Sequence, residues 1–412
     1  DSDDSYSEKP KKEEPKKPVK PSKESKSTKS SDAKKEEPKK SNKSSASQKE
    51  ESNKSPKSST VSKESEAPAK PVSRAANGST DFSQPPDFTV SPEVLEEANS
   101  HKVDRYGWIE FNEPSTKEKK LLEEELKKEE ERSKKWKKMM KSKKWPYYQT
   151  RRGYRVVKER TIKGIPNDCR AKAWILLLDP LEDRESNRGT VQSFFDKGIP
   201  TVEHTIRADI PRTMPNVPEF LKTETRQSLY RILRAYSNAS GGGGYYQGMG
   251  FYAAIYLLYI KEEEEAFWCF YNLMQNKKHK VKDLFENEFS GLKIMNSVWE
   301  VLLEKKFKNV YTKLKDLMVD PMIYTPSWFL CSFLDLDFPP PLRLKIIDRL
   351  IVFGTRQLLS LALAVIDLNQ ETILAQSSQM DTILPLLQNP TTAESMKDWR
   401  EIVKKWDRHY LS

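Results

Sequence analysis

No Phe, Trp, Leu or Ile occurs before Phe82 in this 412-residue chain. Lys, Glu, Ser and Pro dominate that stretch. It cannot bury enough apolar surface to offset the entropy of ordering it. Residues 1–80 are therefore expected to form a disordered low-complexity tail. They hold 20 basic and 14 acidic residues, a net of +6. The signs are interleaved, so the tail is a mixed-charge tether rather than a polybasic block. Weak attraction to an anionic membrane is its sharper alternative role. Its lysines are not interleaved with aromatics and no nucleic-acid module is recognisable, so no nucleic-acid partner is expected.

Cysteine is equally scarce. Cys169, Cys269 and Cys331 are the only three. An odd, widely spaced trio makes neither a disulfide framework nor a zinc pattern, and it points to a reducing compartment. His101, His204, His279 and His409 stand apart from one another and from the cysteines, so no metal site is expected. No uninterrupted apolar run approaches 18 residues. No signal peptide is visible, and the chain begins at Asp1 rather than Met, as a fragment or processed product would. No fixed repeat appears. No nucleophile–base arrangement suggests an autonomous hydrolase.

What is present is helical periodicity. An extended entry from residue 81 holds Pro85, Pro86 and Pro92, then the aromatic-rich segment Val103 to Phe111. Ser115 to Lys144 reads as one long charged helix with 13 basic and 7 acidic residues. Leu122, Leu126, Glu129, Ser133, Trp136 and Met140 recur along it at about 3.5-residue spacing. Its two ends are expected to dock, Trp136 and Met140 at one of them, and its polar middle to be solvated. From Glu159 onward the apolar content rises and helical periods follow one another. They cover Cys169 to Leu178, Thr223 to Tyr236, Glu263 to Met274, Leu292 to Phe307, Leu342 to Phe353 and Leu358 to Leu368. In the fourth, Ile294, Val298, Val301 and Leu302 share a spacing that suggests a packed face. Alternation of the β type never exceeds a few residues. The expected fold is all-α. It comprises a tail (1–80), an entry with the long helix (81–158), a multi-helix domain (159–387) and a C-terminal helix (388–412). Pro390, with Thr391 and Glu394 as a capping box, is expected to introduce that last helix.

The stretch that organises the domain is Gly241 to Gly250, G-G-G-G-Y-Y-Q-G-M-G. Four glycines cannot sustain a helix and read as a loop. The apolar run Phe251 to Ile260 follows, so a buried helix is expected from about Tyr245 to Lys261. At about 100° per residue, Tyr245 and Gln247 would lie on roughly opposite faces of it. Taken alone, Gln247 reads most simply as a core amide bonded to nearby backbone. A phosphate cradle is disfavoured because no Gly-Lys-Ser/Thr follows.

Three clusters occur in order. K-G-I-P-N-D-C-R-A-K-A-W holds Arg170 and Trp174. I-R-A-D-I-P-R-T-M-P holds Ile206, Asp209 and Arg212. Y-Y-Q-G-M holds Tyr245 and Gln247. Together they resemble the three signature motifs of the TBC domain, the all-helical GTPase-activating domain for Rab GTPases, over roughly Glu159 to Leu387. Tyr324 to Phe333 is similar to that family's later helical block. Departures occur at Lys345 and Ile347, where Arg and Trp are frequent, and at Tyr246 and Gly250.

The resemblance implies an activator of a GTP-bound Rab-family GTPase. Arg212 would be an arginine finger and Gln247 a glutamine finger, both supplied in trans. Arg170 and Asp209 would support the finger loop, with Asp209 orienting Arg212 or pairing with Arg170, while Trp174, Ile206 and Tyr245 would be core. No cofactor of its own is implied, because GTP and Mg2+ would sit on the partner. A cytoplasmic protein, peripheral at endomembranes, is the matching expectation. The alternative is a Rab-binding scaffold of the same fold without activating capacity.

Overall fold

The computed structural model describes Phe82 and residues 84–410, apart from positions 112, 179–188, 243, 280, 378, 393–395 and 397. The expected tail lies outside the described residues. Helices dominate the rest. The only paired strands among the described residues are Lys102–Val103 and Ile109–Glu110, an antiparallel pair within the aromatic-rich segment. Asp104 closes the turn between them by accepting from the backbone N–H groups of Tyr106 and Trp108. This turn buries Trp108.

The centre of the domain is the helix Gly250–Ile260. It packs against Thr223–Ala239, Glu263–Gln275 and Arg170–Leu178. Every residue from Tyr252 to Tyr256 is fully buried, as expected for a helix apolar all round. Its start is a correction. The helix begins at Gly250, not near Tyr245, and Gln247 to Met249 form a turn before it. The cause is local: Gly248 adopts φ +96, which no helix accommodates. The C-terminal half is built around Pro340–Phe353 and Arg356–Ala375. Gly354, at φ 76, closes the first of these as expected. Arg356–Ala375 is longer than its sequence signal. It is long and apolar enough to cross a bilayer by those two measures, yet most of it is buried inside the domain.

Three other expectations need revision. The long helix runs Thr116–Met139, capped by a reciprocal Ser115–Glu118 box. Its middle is docked rather than solvated. Glu129 receives the Arg105 guanidinium fork at 2.9 Å and the Asn167 N–H at 2.7 Å, while Ser133 donates to Asp168. Leu122, nearer the start, is exposed instead. Polar seam residues found specific partners, which hydropathy alone does not register.

In the helix Glu286–Lys306 the buried face is Leu292, Met295, Trp299 and Leu303. Ile294 is 67% exposed and Val301 64%, and Val298 also faces solvent. Trp299 sets the face, because its indole donates to the buried Tyr324 hydroxyl and packs on Trp328. The last helix is Trp399–Arg408, with Asp398 rather than Thr391 as its N-cap. Thr391 lies in the short turn Pro390–Thr392, and Glu394 is outside the described residues.

The docking of the long helix through Trp136 and Met140 agrees with expectation. Trp136 is only 1% exposed. Trp136→Ala should lower unfolding free energy by about 3–5 kcal/mol, the usual cost of emptying a buried tryptophan site. Urea denaturation of the two proteins measures it, and a loss within error would mean that the helix end is not part of the cooperative core.

Candidate functional site

The helix Glu203–Asp209 runs directly into a 3-10 turn, Ile210–Arg212. Ile206 and Ile210 are buried and anchor this corner. Thr213 donates its hydroxyl to the Asp209 carbonyl at 2.8 Å and tightens it. Pro211 fixes φ within the turn. The Arg212 side chain leaves this rigid corner 53% exposed. Its Nε donates to Asp209 Oδ1 at 2.9 Å, and its Nη2 reaches the same oxygen.

Asp209 is buried and shared. Its second oxygen, Oδ2, accepts from the Tyr245 hydroxyl. Burial, reinforced by the Asp209 charge, raises the Tyr245 phenol well above its usual range, so it stays a donor. Tyr245 is therefore core, as expected. The residue two positions on, Gln247, is exposed. Its expected outward orientation is present, although a turn produces it rather than a helix face. Among the described residues no hydrogen bond engages its amide, so the reading as a core amide is overturned.

Gly248 makes that turn possible in two ways. It takes the left-handed φ of +96, and a Cβ there would sit 2.8 Å from Cys331 Sγ. Asp335 lies beside Cys331 on the same wall. Phe289 enters from the opposite side on three consecutive left-handed residues, Asn287 to Phe289. Non-glycine residues rarely adopt that region, and each costs roughly 1–2 kcal/mol. Such strain tends to collect where a side chain must be aimed at a ligand.

These groups line one cleft of about 440 Å³, with Arg212 and Gln247 both on its wall beside Asp209, Tyr246, Phe289 and Asp335. Sequence reasoning had not placed Phe289 or Asp335 there. Neither carries a motif, since both reach the cleft only through tertiary packing.

Arg170 and Trp174 lie elsewhere. Both turn to the buried Asp348, so of the two alternatives for Asp209 the structure has it orienting Arg212 and not pairing with Arg170. The Arg170 Nε lies 3.3 Å from Asp348 Oδ1, and the Trp174 indole donates to the same oxygen at 2.9 Å. Arg170 also donates to the Ile165 carbonyl and to Asn167. A buried ion pair of this kind fixes geometry more surely than it adds net stability. Asp348 was visible in sequence only as the end of K-I-I-D, with nothing to name its partners. The i, i+4 spacing of Arg170 and Trp174 did signal that the two share a helix face.

The site is thus an open cleft in an all-helical domain, with one arginine and one glutamine on its wall. The sequence matches the Rab-GTPase-TBC domain family over residues 167–374. The chain belongs to that family, and this supports a role as an activator of Rab GTPases. Human growth hormone-regulated TBC protein 1 is 32% identical, over 55% of this chain and 68% of that protein. Mouse Carabin is 30% identical, over 66% of this chain and 60% of its own length. Two solved structures share the fold at 18% identity. The Chlamydomonas flagellar RabGAP TBC domain aligns with a TM-score of 0.57, over 76% of this chain and all of its own. The Ypt/Rab-GAP domain of Gyp1p aligns at 0.55, over 68% and 97%.

The Gly248 geometry is testable. Gly248→Ala should destabilise the fold by about 1–3 kcal/mol, because it combines a left-handed φ with a clash against Cys331. Adding Cys331→Ala should return part of that loss, since it relieves the clash but not the backbone strain. Guanidinium titrations of both variants decide this, and equal stability of Gly248→Ala and parent would show that the turn is not as described.

Proposed function

We propose that this domain stimulates GTP hydrolysis by a GTP-bound Rab-family GTPase, with Arg212 and Gln247 supplied in trans. One observation carries the reading. Of the seven motif residues, Arg212 and Gln247 alone reach solvent, and they do so in the same cleft. Arg170, Trp174, Ile206, Asp209 and Tyr245 are all buried.

The chemistry suits the two side chains. Phosphoryl transfer to water needs positioning and charge stabilisation more than covalent chemistry. A guanidinium is planar and permanently charged, and it can bridge phosphate oxygens as charge develops on them. In the free domain Arg212 is held by Asp209. That pair is about half exposed on the arginine side, so solvent weakens it and phosphate oxygens can compete for the fork. Asp209 keeps the guanidinium pre-oriented until then. A primary amide both accepts and donates, so Gln247 can hold the attacking water without exchanging a proton. The GTP and Mg2+ belong to the partner as substrate, and this chain supplies no cofactor. The matching location is cytoplasmic, peripheral at endomembranes in vesicle trafficking. The mixed-charge tail would add weak membrane contact.

Arg212→Lys keeps the charge but loses the fork. It should forfeit a large part of the roughly 10³–10⁵-fold that an arginine finger can supply. Gln247→Ala should be comparably severe. Both side chains are exposed, so melting temperatures should be nearly unchanged. The assay is single-turnover phosphate release across a panel of Rab GTPases, read on the responsive ones. Folded variants that stimulate hydrolysis like the parent would leave Rab binding without activation, the scaffold role, as the better description.

A further inference from the structure

A second site lies away from the cleft, where the long helix, the helix Pro340–Phe353 and the terminal helix Trp399–Arg408 converge. They enclose a cavity of about 90 Å³. Its wall carries five cations, Arg105, Arg132, Arg170, Lys345 and Arg400, against two carboxylates, Glu125 and Glu129. Most of this charge is already paired. Arg105 forks onto Glu129 at 2.9 Å, and Arg170 holds Asp348. Arg132 reaches Glu125 only at 3.5 Å and Arg400 reaches Asp398 only at 3.4 Å.

Lys345 is different. Among the described residues its ammonium has neither an ion pair nor a hydrogen bond. It lies against Gly164, where an added Cβ would be 2.9 Å from Nζ. Burial, then the Arg349 charge, pushes this ammonium down to about 8, so it is still mostly charged at neutral pH. The Nε atoms of Arg132 and Arg400 are also buried without an acceptor. Three donor groups from three helices therefore face one small space whose two carboxylates, Glu125 and Glu129, are already engaged by Arg132 and Arg105. Buried N–H groups seldom stay unpaired, and the half-buried Lys345 adds an unpaired positive charge beside them. Water can accept from the donors, but it cannot neutralise the lysine. A compact anion with several oxygens does both.

We propose that this cavity is a binding site for a single phosphate-like group, inorganic phosphate or a phosphomonoester, with Lys345 as its principal partner. Arg132 and Arg400 complete the site from the two flanking helices. Occupancy would then tie the long helix and the terminal helix to the domain.

The test uses the full chain at constant ionic strength, with inorganic phosphate titrated against chloride. Calorimetry should show saturable binding at one site per chain, with a matching saturable rise in melting temperature. Lys345→Met should abolish saturation and leave only the gradual response to salt. If that variant does not fold, Arg132→Gln serves, with a severalfold weaker affinity expected. A second arm compares vesicles carrying a phosphomonoester lipid with vesicles carrying a phosphodiester lipid at equal surface charge. A preference for the former that vanishes in the variant assigns a lipid headgroup as occupant. Saturable phosphate binding without that preference assigns the free anion. No saturable binding by the parent, or equal binding by parent and variant, overturns the proposal.

Discussion

Asp209 couples two loops that are otherwise independent. One oxygen orients Arg212 and the other holds Tyr245, so the Arg212 corner and the glycine-rich turn share one buried carboxylate. Removing a carboxylate from water costs several kcal/mol, and only well-formed charge-assisted hydrogen bonds offset that. The buried Tyr245 bond keeps Asp209 in place, and Asp209 in turn pre-orients the exposed Arg212. The consequence is geometric. Arg212 and Gln247 enter one cleft in a fixed relation before any partner arrives. Pre-positioned groups lose less entropy when they act, and that is where much of the rate enhancement in such reactions comes from.

Asp348 plays the corresponding role below the surface. It gathers Arg170 and Trp174 from one helix onto another, beneath the central helix. The first motif thus fixes the frame, while the second and third carry the exposed chemistry. This division explains why motif residues so different in burial occur together. Left-handed backbone marks the cleft rim at Gly248 and at Asn287 to Phe289, and it recurs at Met214, Lys261, Met318, Ser332 and Phe333. The packed helices around the cleft can over-determine those positions.

Much of this was legible in the sequence. Helix periods located the central helix, the tryptophan end of the long helix and the glycine stop at Gly354. Three spaced motifs pointed to Arg212 and Gln247. What failed did so for identifiable reasons. Glycine at 248 delayed the start of the central helix to Gly250, later than hydropathy implied. Ile294, Val298 and Val301 have the right spacing for a packed face, yet the hydrogen bond of Trp299 to Tyr324 turned the helix the other way. Specific polar contacts such as Glu129 with Arg105, or Arg170 with Asp348, join residues far apart in the chain. Neither composition nor periodicity encodes such pairings. The cavity around Lys345 belongs to the same class, since its walls come from three separate helices.

With Gln247 holding the attacking water, as proposed, the GTPase's own water-positioning glutamine is dispensable. The most direct measurement is single-turnover hydrolysis by a responsive Rab GTPase whose own glutamine has been replaced. The account predicts that this domain still stimulates that GTPase substantially, and that Gln247→Ala then removes the stimulation. Stimulation that disappears with the GTPase's own glutamine, and survives the loss of Gln247, would contradict it.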